Sequence, residues 1–228
     1  MNRTFRIGLG IGVAGLVAVT SSLALAQSKK DAKPSTAPPA AAPELPPGMT
    51  AEQMQACMEA GIPGPMHEKL LESVGTWNGK TMMWMAPGTE PVVSDCTYTI
   101  APMMDGRYLR SEMTGDFPGM GPFSGFGITG FDNVSQKFQL TWIDNWSTGQ
   151  LRGVGDLSSD GSTLNWTCTY NCPIKKAPAT MRQVEKRTGP DAMTMTMYGP
   201  DPATGNEFKM MEITFTRKAG GSAKSAQH

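Results

Sequence analysis

The side chains of this chain best suited to acid–base chemistry are the carboxylates Asp132 and Asp144, with the phenol of Tyr108. Two carboxylates near one opening could divide the roles of general acid and general base. Asp144 alternates with Phe138, Leu140, Trp142 and Trp146, so on an extended strand it shares their face. A carboxylate among aromatics needs an internal partner, such as an Arg or an indole N–H, or else a ligand. Asp132 opens Asp132-Asn133, where the carboxylate is expected to cap its own turn. Glu112 and Glu212 are expected to face solvent.

Other chemistries lack the residues they need. The chain has two histidines, His67 and His228. A Ser-His-Asp triad would have to use one of them, no Gly-x-Ser-x-Gly elbow is present, and a metal site built on several histidines cannot form. His67 is expected on the surface of a short helix. Asp156-x-Ser158-x-Asp160-Gly161 starts like a calcium loop, but its twelfth position is Thr167 where a bidentate Glu is required, so it reads as a hairpin turn. Methionine is abundant at 18 residues. Met82, Met83 and Met85, or Met193, Met195 and Met197, could hold Cu(I), but a pliable apolar lining is the preferred reading. No metal or cofactor is expected.

Charge is balanced, with 20 basic and 20 acidic residues. There is no basic stripe and no nucleic-acid signature, so nucleic acid is not an expected partner. The four cysteines are Cys57, Cys96, Cys168 and Cys172. If the chain turns at Asn171 and Pro173, Cys168–Cys172 could bridge, leaving Cys57–Cys96 as the second disulfide. Free thiols and a weak Cys-x3-Cys metal site are the competing readings.

These residues must be held by a scaffold, and the sequence supplies one. Residues 1–26 read as an export signal: Arg3 and Arg6, an apolar run, and Ala24-Leu25-Ala26 before cleavage. The chain is thus expected in the periplasm or outside the cell, with no membrane insertion after cleavage. Residues 27–49 form an Ala/Pro-rich segment expected to be disordered, as is the tail 219–228. The segment 50–218 is left as a single domain.

Thr50 with Gln53 forms a capping-box signature for a first helix, and a second is expected over 67–74. Beyond it the pattern has period two, with strands expected at 75–85, 91–100, 107–115, 122–131, 137–146, 149–157, 163–170, 179–187, 192–198 and 207–217. Turn dipeptides such as Asp105-Gly106 and Asp160-Gly161 join them. No long helix intervenes, which excludes parallel βαβ units. The expected fold is all-β: a roughly ten-stranded antiparallel up-and-down barrel preceded by two short helices.

Val74-Gly75-Thr76-Trp77, Asp105-Gly106-Arg107-Tyr108-Leu109, Gly130-Phe131-Asp132-Asn133, Thr141-Trp142-Ile143-Asp144-Asn145 and Met210 to Arg217 resemble the signature blocks of an exported bacterial family, domain of unknown function 1579. That family is similar to the calycins, the lipocalin-like barrels. The resemblance implies that Trp77 on the first strand and Arg217 on the last close the barrel floor, a structural role consistent with cation–π stacking.

The leading expectation is a non-enzymatic barrel that binds a small apolar or amphipathic ligand. The lining would be Phe138, Leu140, Trp142, Met195 and Met211, with Trp84 or Met83, and Asp144 would orient the ligand. The alternatives are a hydrolase or isomerase using Asp132, Asp144 and Tyr108, and a structural envelope protein with a solid barrel.

Overall fold

The computed structural model describes residues 45–201 and 203–219. The expected signal at 1–26, most of the segment 27–49 and the tail beyond Ala219 lie outside the described residues. Helix α1 (Ala51–Ala60) opens on the capping box, with Thr50 Oγ1 accepting from Gln53 N and Gln53 Oε1 accepting from Thr50 N. It buries none of its residues, and Gly61 ends it. Helix α2 (Pro65–Leu71) starts two residues earlier than expected, because Pro65 is well placed in a first helical turn.

Ten strands follow: β1 (Gly75–Met83), β2 (Val92–Met103), β3 (Tyr108–Phe117), β4 (Gly121–Asp132), β5 (Lys137–Asp144), β6 (Leu151–Leu157), β7 (Thr163–Cys172), β8 (Ala177–Gly189), β9 (Ala192–Pro200) and β10 (Glu207–Arg217). Each pairs antiparallel with its chain neighbour, and β1 also pairs with β10, so the sheet closes on itself as the period-two pattern predicts. Closure leaves no free edge. The Asp160-Gly161 turn is a hairpin: Gly161 takes a φ of +68°, and the Asp160 carboxylate accepts from Ser162 N and from the Ser158 and Ser162 hydroxyls. Those bonds hold the Asp160 carboxyl down at about 2.

Alternation sends one face of every strand inward. On β3, Leu109, Ser111, Met113 and Phe117 are buried, while Arg110, Glu112 and Thr114 are exposed. Trp77, Trp166, Ile213 and Phe215 are almost wholly buried and anchor the core. Each such large side chain stabilises the fold by about 2–3 kcal/mol. The rings fit because facing strands carry glycine. A Cβ on Gly155 would lie 2.6 Å from Trp166 Cε3, and one on Gly127 would lie 2.8 Å from Trp142 Cε3.

One end of the barrel is sealed. The Arg217 guanidinium lies 4.0 Å over the Trp77 ring, and Trp77 Nε1 donates to Ser73 O at 2.9 Å. Arg217 also donates to the carbonyls of Glu72, Val74 and Pro190 and to the Asp191 carboxylate. One side chain thus ties the α2–β1 link to the β8–β9 turn. His67 is buried beside this end, against expectation. Its Nδ1 accepts from Gly64 N at 3.0 Å, and its ring meets the Phe131 ring edge-on. It caps its own helix and packs under the floor.

Neither expected disulfide forms; all four cysteines are free thiols. β7 runs on to Cys172, and the turn comes only at Pro173–Lys176. Cys168 and Cys172 therefore stand four residues apart on one strand, roughly 13 Å, well beyond bridging reach. Cys57 is exposed on α1, whereas Cys96 points into the barrel, where the Thr81 hydroxyl lies 3.6 Å from its sulfur. Burial, and secondarily the charge of Glu185, pushes the Cys168 thiol up to about 12, which makes it an inert core residue. Among the described residues, no helix is long and apolar enough to cross a membrane.

Candidate functional site

The barrel encloses a cavity of about 950 Å³. It extends from Leu70 and Ser73 at the sealed end to the β5–β6 loop, Asn145–Gln150, at the other. A cavity of this size is at the upper end of the range for small-molecule sites. A solid barrel is therefore ruled out, because the void far exceeds a single water.

β5 contributes Leu140, Trp142 and Asp144 to the lining, while Phe138 is buried in the core beside Trp166. From β9 come Met193, Met195 and Met197, and from β10 Met211. These four methionines form a deformable apolar wall. The register at the end of β1 places Met83 in the lining. Trp84 instead lies 4.4 Å beneath the Lys209 ammonium, and Met85 is exposed, so the first methionine group is split between different surroundings.

Asp144 faces the cavity at the mouth and also has protein partners. Oδ2 accepts from Trp142 Nε1 at 3.2 Å, and Oδ1 accepts from Trp146 N at 3.0 Å. The carboxylate locks the Trp142 indole against the wall and starts the loop that follows β5. Phe117, Phe123 and Trp146 stack edge-on around the same opening.

Asp132 stands at the other end of the same strand pair, opposite Lys137. Lys137 and Asp144 lie seven positions apart on β5, roughly 23 Å of strand. Asp132 accepts from Val134 N, Ser135 N, Ser135 Oγ and Gln139 Nε2, and these bonds, Ser135 foremost, hold its carboxyl below the usual range. Tyr108 lies on the outer face, with its ring across Gly130. Asp132, Asp144 and Tyr108 therefore cannot act on one bond. The Asp132-Asn133 block has another role: Asn133 Nδ2 donates to Ala60 O and Ile62 O, pinning the α1–α2 link to the barrel.

Sequence reasoning missed Glu185 on β8. It lines the cavity near the sealed end, paired in register with Leu164 and Met195. It is half-buried. Oε1 accepts from Gln183 Nε2 at 2.7 Å, and burial raises its carboxyl above the usual range. The buried Trp166 Nε1 is oriented toward this carboxyl without closing a hydrogen bond of good geometry. Tyr98 lines the same region, its phenol pushed up by burial and then by the charge of Glu185. Ser111 Oγ lies near the Tyr98 hydroxyl, buried and without a well-formed partner. The available signal was the alternation Met181-x-Gln183-x-Glu185, which puts two polar residues in phase with an inward methionine.

Residues 62–217 match the family described as Protein of unknown function (DUF1579). The chain belongs to that family. Among solved structures, this DUF1579 barrel is similar to the crystal structure of Rv2717c from M. tuberculosis. The two share 14% identity with a TM-score of 0.53, over 68% of this chain and 98% of that one. It is also similar to the S-type phycobiliprotein lyase CPES from Guillardia theta, at 11% identity and a TM-score of 0.49, over 71% of this chain and 96% of that one. The first likeness supports the barrel fold and nothing finer, and the second carries no further weight. No curated protein matches the chain.

Proposed function

We propose that this DUF1579 barrel is an exported, non-enzymatic carrier or receptor for a small amphipathic molecule held inside the barrel. The observation that carries this reading is the cavity of about 950 Å³, walled by methionines and aromatics. Such a void leaves apolar surface without packing partners, and an apolar ligand would supply them. Trp142, held by Asp144, would form one side of the entrance. The separation of Asp132 from Asp144 removes the acid–base pair that an enzymatic reading would need.

Native mass spectrometry of protein purified from its own periplasm tests both halves of the proposal. The expected result is an N-terminus at Gln27 together with a co-purifying apolar molecule. A titration with N-phenyl-1-naphthylamine should show saturable fluorescence enhancement at one site per chain. Failure of the probe to bind, together with a clean apo mass, would refute the binding reading. An intact Met1 in the periplasmic fraction would refute the cleaved signal.

A further inference from the structure

The cavity contains two carboxylates, Asp144 at the mouth and Glu185 near the floor, and no Lys, Arg or His among the described residues that line it. The two acids are satisfied to different degrees. Both oxygens of Asp144 accept hydrogen bonds from the loop and wall that it organises. Glu185 has one well-formed hydrogen bond, from the neutral amide of Gln183, with the neutral Trp166 indole N–H turned toward it. The side chains near it bring no positive charge: Tyr98 on β2, and Trp166 and Cys168 on β7. Arg187, two residues along β8, is turned to the sealed end, where its guanidinium meets Glu72. A half-buried carboxyl held off bulk water gains from a cation or a full set of donors, and the protein side chains near Glu185 provide no cation.

We propose that the ligand supplies the missing cation: the barrel takes an amphipathic amine that enters ammonium-first, so that its head meets Glu185 and its apolar tail fills the methionine-lined space. This inference rests on the ligand-binding reading above. An ammonium presents three donors and no acceptor. The acceptors that line this part of the cavity suit it: the Glu185 carboxylate, the Tyr98 hydroxyl near it, and beside Tyr98 the Ser111 hydroxyl, buried and without a well-formed partner. The Tyr98 and Phe215 rings, 5.3 Å apart between centroids, place aromatic surface beside the same region. A fatty carboxylate would meet two like charges and no counter-ion. The raised carboxyl of Glu185 agrees with this arrangement, since an arriving ammonium would favour its ionised form. Amine affinity should therefore weaken at acid pH as Glu185 takes up a proton, with Asp144 the other acid facing the cavity.

The test compares octylamine, octanol and octanoate, three probes with one tail and different heads. Each is titrated at pH 7 by displacement of N-phenyl-1-naphthylamine from the intact chain. The wild type should bind octylamine about tenfold more tightly than octanol, with octanoate weakest. Glu185→Gln keeps the shape, and it should abolish the amine preference, read as the ratio of octylamine to octanol affinity within the variant itself. Octylamine binding no tighter than octanol would overturn the inference. So would an amine preference that survives in Glu185→Gln, most directly if Asp144→Asn removed it instead. If N-phenyl-1-naphthylamine itself failed to bind the wild type, the cavity reading would fall first.

Discussion

The two ends of the barrel are built on opposite principles. At the sealed end, a single cation is fully engaged: Arg217 covers Trp77 and binds three carbonyls and a carboxylate. At the mouth, aromatic rings and an anion surround an opening, with Trp146 partly exposed and Asp144 orienting Trp142. The same residue classes, an indole beside a charge, close one end and frame an entrance at the other. The difference lies in what each charge can reach. Arg217 sits where three chain segments converge and offers enough donors to bind them all. Asp144 sits at the end of a strand with one indole and one amide to hold. The floor is therefore tied to three parts of the chain, and the mouth is left open.

The sharpest way to break this contrast is Trp77→Ala. The ring is wholly buried beneath Arg217, and its loss should destabilise the fold by about 3–5 kcal/mol in urea unfolding monitored by circular dichroism. A loss below about 1 kcal/mol would mean that the floor does not carry the fold. Next comes Gly155→Ala, which pushes a methyl group against Trp166 in the floor half of the barrel. Overpacking of this kind should cost about 1–3 kcal/mol.

Asp144→Asn is the counterpart at the mouth. It places an amide N–H against a donor, Trp142 Nε1 or Trp146 N, and should cost about 1 kcal/mol or less at this partly open site. Its larger effect should be on entry of N-phenyl-1-naphthylamine, seen as a changed association rate by stopped flow. Equal destabilisation by Trp77→Ala and Asp144→Asn would erase the distinction between the two ends.

The smallest effect is read through pH. Glu185 has a folded pKa above its unfolded value because of burial, so between those two values the native state binds the extra proton. Stability should fall as pH rises through that window. Glu185→Gln should flatten this slope and be more stable than wild type at pH 7. Asp132 behaves oppositely, since its carboxyl is held low by Ser135 and Val134. Its contribution is present above the unfolded value and is lost as pH falls. A Glu185→Gln profile that parallels the wild type would show that Glu185 is not desolvated in solution.

Most of the barrel was legible because strand alternation is a local property. Phe138-x-Leu140-x-Trp142-x-Asp144 announces a two-sided strand whatever its neighbours are, and Asp160-Gly161 announces its own turn. The Asp144 environment was half legible: its face followed from alternation, while its partners depended on how Trp142 lies across Gly125 and Gly127 of the next strand. The cysteines were misread because a disulfide depends on where a strand stops. Pro173 was taken to end β7 early, yet the strand continues to Cys172 and carries the two thiols apart. His67 was misread because a helix of seven residues shows too little periodicity to reveal which face the barrel covers.

The sequence by itself determined the class of the protein: an all-β chain with its apolar side chains on one face of each strand, a carboxylate among aromatics, and too few histidines for the common catalytic centres. Periodicity and composition suffice for these because each depends on a residue and its near neighbours in the chain. The tertiary structure alone decided that the barrel is hollow and that Asp132 and Asp144 stand at opposite ends. It also decided that Glu185, with no cation among the described residues that line the cavity, faces the same void as the methionines of β9 and β10. Closure of the sheet sets those facts, because the volume left inside depends on all ten strands at once.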